Sequence, residues 1–263
     1  TEIFLDQDGR ITGKENAFIP SAKDIALTAE ILGGYSLYAF DEEIKNGFIT
    51  IEGGHRVGIC GKVVADGGKI KTLRNISSLN FRLARQIKGC GDEALKYITY
   101  KGRFFNTLII SPPGGGKTTV LRDVIRRVSD GFGDFKGMTV GVCDERSEIA
   151  ASFRGRAVND IGIRTDVVDS CPKSKGMMIL LRSMSPEVIA ADEIGSEEDM
   201  VAIRTAVLSG VKLICTSHGE DIKDAERYKG IFERYVLLYG PQRVGGIKAV
   251  YNGSFEEMTG SAD

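Results

Sequence analysis

Apolar positions in the first hundred residues follow two different periods. Ile25, Ala29 and Leu32 recur at helical spacing behind Ser21, a side chain suited to capping a helix start, and the pattern is interrupted at Gly33-Gly34. A second helix is expected through Tyr38 and Ile44, ending at Asn46-Gly47. The period then shortens. Phe48–Ile51, Val57–Cys60 and Lys62–Val64 read as strands, with Asp66-Gly67-Gly68 as a hairpin-type turn. Leu79 to Arg85 sets two arginines, Arg82 and Arg85, on an apolar background, and a helix is expected from Asp92 to Ile98. Lys101-Gly102-Arg103 then marks a plausible boundary, which predicts a small N-terminal α+β domain over 1–101 and a second domain over 102–263.

Beyond that boundary, short apolar runs alternate with helical patterns, the signature of an α/β domain with a mainly parallel sheet. The expected strands are Thr107–Ile110, Thr139–Cys143, Val188–Asp192 and Lys212–Cys215, and Tyr235–Leu238 with Ile247–Tyr251 reads as a closing hairpin around Gly240-Pro241. Each parallel strand ends where polar residues begin. Open α/β sheets bind ligands at that end.

The first of these strand ends is the most telling. Ser111-Pro112-Pro113-Gly114-Gly115-Gly116-Lys117-Thr118-Thr119 follows a strand and opens a helix running through Val120, Leu121, Val124, Ile125 and Val128. Strand, glycine-rich loop, Lys-Thr and helix make a phosphate cradle. Pro113 to Gly116 and Thr119 wrap the phosphates, with backbone N–H groups coming from the residues other than Pro113. Lys117 reaches the outer phosphates, and Thr118 can ligate Mg²⁺. Ser111 stands where the strict pattern has glycine. ATP and Mg²⁺ are the ligands this reading implies.

Two further strand ends carry acids. Val188–Ala191 delivers Asp192-Glu193, the first suited to hold Mg²⁺ through water and the second to polarise the attacking water. Glu197, Glu198 and Asp199, nearby, suit a helix N-terminus instead. Cys143-Asp144-Glu145-Arg146 places Glu145 either toward the γ-phosphate or in a loop ion pair with Arg146. His218, after Lys212–Cys215, is a sensor or water-orienting candidate, or else a solvent-facing cap; His55 reads as turn or interface chemistry. Arg146, Arg154, Arg156, Arg164, Arg182, Arg82 and Arg85 are all candidates for a charge-completing arginine, from the same chain or a neighbour.

Composition narrows the classes. A net charge of −1, from 35 basic and 36 acidic residues, gives no global field toward nucleic acid or anionic lipid. Five scattered cysteines form no C-x-x-C pair, which points to a reducing compartment rather than a disulfide framework or zinc site. No apolar run approaches the roughly 20 residues that span a bilayer, so no direct membrane insertion of this segment is expected. No signal peptide is read, and a start at Thr1 rather than Met leaves room for a preceding segment.

The blocks Gly53–Gly58, Asn75–Asn80, Pro112–Thr119, Asp144–Ile149, Asn159–Asp166, Arg182–Pro186, Asp192–Gly195 and Thr216–Gly219 occur in order over nearly the whole chain. Together they resemble the stage III sporulation protein AA family, which is related to the ATPases of type II and type IV secretion. The resemblance implies an α/β fold with a RecA-like P-loop NTPase core behind the smaller N-terminal α+β domain, and a homo-hexameric ring. It implies an ATPase acting in endospore formation at the mother cell–forespore channel. The chain would be cytoplasmic and peripheral on the inner face of a membrane, on the mother-cell side, with membrane-embedded channel proteins as partners. By motif, Lys117 and Thr118 fall in the nucleotide loop, Asp192 and Glu193 in the second acidic box, Asp144-Glu145 in the aspartate box and His218 in the histidine box. Ser111 departs from the first loop glycine, and Asp192 stands where many secretion ATPases have glycine.

Three other classes remain open from sequence. A RecA-like nucleic-acid motor would show a basic or aromatic strand-facing loop, and none stands out, so no nucleic acid is expected. A nucleotide-binding scaffold with little turnover would share every motif. A kinase would need an acceptor-site signature, which is not found. Whether Glu193 or Glu145 is the main base also stays open.

Overall fold

The computed structural model describes residues 3–33, 44–45, 47–51, 53, 55–83, 85–153 and 155–260. Tyr38, Asn46, Gly54 and Arg154, which carried sequence expectations, lie outside the described residues. The chain divides into two compact units, Thr1–Leu83 and Ala84–Asp263. The boundary expected near residue 102 is therefore too late. Ala94, Leu95 and Ile98 of the helix Asp92–Ile98 are buried with Val124 and Val128 in the core of the second unit. That apolar face, rather than the glycine at residue 102, decides where the chain changes unit.

In the first unit, β1 (Phe4–Leu5) and β2 (Ile11–Thr12) pair antiparallel. Helix α1 (Ala22–Leu32) begins as predicted: Ser21 Oγ accepts the Asp24 N–H, and Asp24 accepts the Ser21 N–H in return. Strands β3 (Phe48–Ile51), β4 (His55–Asp66) and β5 (Lys69–Arg82) form an antiparallel sheet. The two short strands expected in 57–64 are one strand whose register shifts between Cys60 and Lys62. A Cβ at Gly61 would lie 2.7 Å from the Arg74 carbonyl, so only glycine lets the strands close there. The turn at Gly67-Gly68 closes the hairpin, with both glycines at positive φ.

The second unit opens with α2 (Asp92–Ile98) and the short pair β6 (Thr99–Tyr100) and β7 (Arg103–Phe104). Then come β8 (Thr107–Ser111), α3 (Lys117–Asp130) and the small hairpin of β9 (Gly131–Phe132) and β10 (Phe135–Lys136). Next are β11 (Val140–Asp144), β12 (Thr165–Asp169), α4 (Lys173–Ser183) and β13 (Val188–Ala191). Last come α5 (Glu197–Leu208), β14 (Lys212–His218), β15 (Arg234–Leu238) and β16 (Ile247–Asn252). Seven of these strands form one sheet in the order β12-β11-β13-β14-β8-β15-β16, parallel except for the antiparallel last strand.

Alternation along the strands feeds two cores. Ile109, Val142, Ala190 and Ile214 face α3, whose Val120, Leu121, Val124, Ile125 and Val128 are fully buried. Leu108, Ile110, Ile189, Ala191 and Leu213 face the other way, onto Met177 and Leu180 of α4 and Ile203 and Ala206 of α5. Burial on both faces explains why these strands read as continuous apolar runs. Each large aliphatic side chain buried this way contributes about 1.5–3 kcal/mol. β12 carried no such signal, because it is an edge strand, half-buried, with aspartates at 166 and 169.

Candidate functional site

The phosphate-loop residues sit at the carboxyl end of β8, between two braces. Gly114 and Gly116 have φ of +75° and +90°, the left-handed region that disfavours side chains. Gly115 has ordinary φ but no room: a Cβ there would come within 2.5 Å of Ser111 Oγ and 2.6 Å of the Tyr239 carbonyl. The Gly245 N–H donates to the Gly115 carbonyl at 2.8 Å. Ser111 itself is the last residue of β8, buried, at negative φ, and in register with His218 of β14. No left-handed turn falls on Ser111, so glycine is not required there.

β14 lies between the cradle strand β8 and the acidic strand β13, and this order assembles the site. Thr118 Oγ1 donates to Asp192 Oδ2 at 2.6 Å. Lys117, only 6% exposed, places Nζ 3.0 Å from Glu193 Oε1. His218 Nε2 lies 3.2 Å from the same oxygen, and Arg146 Nη1 lies 2.7 Å from Glu193 Oε2. Burial pushes the Glu193 carboxyl up, but the Lys117 hydrogen bond and the Lys117 and Arg146 charges outweigh it and hold it below the ordinary carboxylate range. Glu193 has φ +52°, a left-handed conformation that costs a non-glycine residue about 1 kcal/mol or more.

Thr216, from the intervening strand, ties the acids together. Its hydroxyl accepts the Glu193 backbone N–H at 2.9 Å and donates to Asp192. Sequence alone assigns Thr216 no role: a threonine one strand away carries no local signal, even two residues before His218.

Asp144 and Glu145 part company. Asp144 is 2% exposed and accepts the N–H groups of Glu148, Ile149 and Ala150 at 2.8, 3.0 and 2.8 Å. Burial raises its carboxyl, and those three N–H groups oppose the rise. It shapes the loop. Glu145 pairs with Lys173, a partner not anticipated, and lines the same small cavity as Asp192, Glu193 and Glu148. Glu197, Glu198 and Asp199 form the first turn of α5, with Asp199 completing a capping box on Ser196.

Hard oxygen donors, a hydroxyl beside a carboxylate, and a glycine loop with no room for Cβ atoms fit a nucleotide triphosphate with Mg²⁺. Among the described residues no group of three His, Cys, Asp or Glu could hold a metal alone, so Mg²⁺ would complete its shell from phosphate oxygens and water.

A seven-stranded, mainly parallel sheet with the glycine loop, Lys117 and the Asp192-Glu193 pair at one edge is a RecA-like P-loop fold. The chain belongs to the family described as Sporulation stage III, protein AA, which matches residues 3–258. It is 41% identical over 244 residues to Stage III sporulation protein AA of Bacillus subtilis (strain 168), covering 90% of this chain and 79% of that one. Among solved structures it is similar to the ATPase DotB of Legionella pneumophila, at 14% identity and TM-score 0.55, over 87% of this chain and 67% of that chain. It is also similar to the pilus retraction motor PilT with bound ADP, at 16% identity and TM-score 0.56, over 88% and 69%. At these identities the likeness is one of fold. Among the described residues no helix is long and apolar enough to cross a membrane.

Proposed function

We propose that this chain hydrolyses ATP and converts the hydrolysis into movement within a homo-hexameric ring at the mother cell–forespore channel of endospore-forming cells. The observation that carries the reading is the convergence of Lys117, Thr118, Asp192 and Glu193 on one point of the sheet edge. Membership of a sporulation family supports the setting. Membrane-embedded channel proteins as partners, and a peripheral position on the inner membrane face, belong to the same proposal.

Residues Pro113 to Thr119 would hold the phosphates. Thr118 and Asp192 would hold Mg²⁺, which supplies neutralising charge at the β- and γ-phosphates. Lys117 exchanges Glu193 for phosphate oxygens. That exchange frees the Glu193 carboxylate, already ionised at neutral pH, to orient water and accept its proton. His218, sharing Oε1 with Lys117, responds to that exchange. Glu145 is the second candidate base, held by Lys173. Arg146 is the arginine already at the site; a neighbour's arginine would make turnover depend on assembly.

Steady-state phosphate release from ATP with Mg²⁺ tests the reading. Wild type is expected to turn over, and Glu193→Gln to bind ATP while losing roughly 10²–10⁴ in rate. Equal rates for the two remove Glu193 from the base role, and no release by wild type at any protein concentration leaves a nucleotide-binding scaffold.

A further inference from the structure

A buried arginine on the nucleotide helix has no part in the chemistry above. Arg122, one turn beyond Lys117-Thr118, is 6% exposed. Its guanidinium donates Nε to the Ile149 carbonyl at 2.8 Å, Nη2 to the Glu148 carbonyl at 2.5 Å and Nη1 to the Arg85 carbonyl at 3.0 Å. Three main-chain carbonyls from two separate segments thus share one planar cation.

The first segment is the loop after β11. Asp144 grips its N–H groups and Arg122 grips its carbonyls, so residues 148–150 are fixed from both sides. Ser147 and Ala151 hold φ of +52° and +51°, conformations that persist only when surroundings impose them. The loop carries Arg146 to Glu193. The second segment, residues 85–92, is where the chain enters the second unit, and it runs along α3. The Gly91 N–H donates to Asp123 at 2.9 Å, Arg127 Nε reaches Asp92 at 3.0 Å, and a Cβ at Gly91 would meet Val124 at 2.8 Å.

We propose that Arg122 is a positioning residue that joins the nucleotide helix, the Arg146 loop and the entry segment 85–92 into one mechanical piece. A displacement of Lys117 and Thr118 on α3 then moves Arg146 relative to Glu193, and moves the entry segment with it. The inference rests on the nucleotide reading of the cradle, but its first test needs no turnover.

In wild-type protein, native-state hydrogen exchange in low denaturant is expected to show the amides of Glu148, Ile149, Ala150 and Gly91 opening together with α3. Separate openings overturn the proposal. In Arg122→Lys the loop amides are expected to lose at least about tenfold protection while the β8 and β14 amides keep theirs; unchanged loop protection overturns it.

The second test is a double-mutant cycle on phosphate release. Arg122→Lys is expected to lower kcat about tenfold or more with nucleotide Kd changed under about threefold. In an Arg146→Ala background the same change is expected to cost under about twofold. Full additivity means that Arg122 is structural only. An inactive wild type removes the hydrolysis reading and leaves the exchange result to stand by itself.

Discussion

The ammonium of Lys117 lies 3.0 Å from Oε1 of Glu193, a residue 76 positions away in sequence. The cation of the glycine loop and the acid proposed to activate water thus pair with each other. In the proposed reaction this pair is the resting arrangement, which phosphate binding to Lys117 would break.

Lys117→Ala follows directly. ATP binding is expected to be lost, measured by calorimetry. With its first partner gone, the Glu193 carboxyl is expected to titrate nearer its ordinary value, read from side-chain carboxyl shifts by NMR. An unmoved titration would mean that Arg146 and His218 hold Glu193 without Lys117.

Acid stability tests the same cluster. The folded Glu193 carboxyl sits below its ordinary 4.5, so its ion pairs stabilise the fold fully above about pH 4.5 and progressively less as pH falls through the folded value. The Tm difference between wild type and Glu193→Gln is therefore expected to shrink in favour of the variant as pH falls below about 4.5. Parallel curves down to about pH 3 would contradict the assignment.

Thr216→Val keeps the shape and removes the hydroxyl. Asp192 loses a donor and the Glu193 N–H loses its acceptor, at a cost of about 1–3 kcal/mol. The Mg²⁺ concentration for half-maximal phosphate release is expected to rise about tenfold or more. An unchanged Mg²⁺ requirement would detach Thr216 from the metal position.

Gly115→Ala forces a methyl against Ser111 Oγ and the Tyr239 carbonyl. The hydroxyl can rotate; the carbonyl belongs to main chain and cannot. Overpacking of this kind costs about 1–3 kcal/mol, and ATP binding is expected to fall at least about tenfold. Gly195→Ala, with nothing within 4 Å, is the control and is expected to stay within about 0.5 kcal/mol of wild type.

The glycine loop, the acid pair of β13 and the main strands were legible because each is a local pattern: a buried parallel strand is a short apolar run, and its polar end follows at once. What local pattern cannot supply is order across the sheet. Nothing in Lys212–Cys215 says that this strand inserts between the cradle and the acids, so Thr216 went without a role. Arg122 was equally hidden. A charged residue amid helical spacing reads as solvent-facing, and only the fold reveals three carbonyls around it. The edge strand β12 lacked an apolar run, and the unit boundary was misplaced because helix 92–98 is amphipathic toward a core that had yet to be built.

The Gly245 N–H on the Gly115 carbonyl has a further consequence, concerning the order in which the chain emerges during synthesis. The loop at 111–119 is made early, and the residues that brace it, Tyr239 to Gly245, follow much later in the chain. A nascent chain lacks that hydrogen bond until residue 245 has left the ribosome. Fragments truncated before residue 245 are expected to fold much of the sheet yet fail to retain ATP.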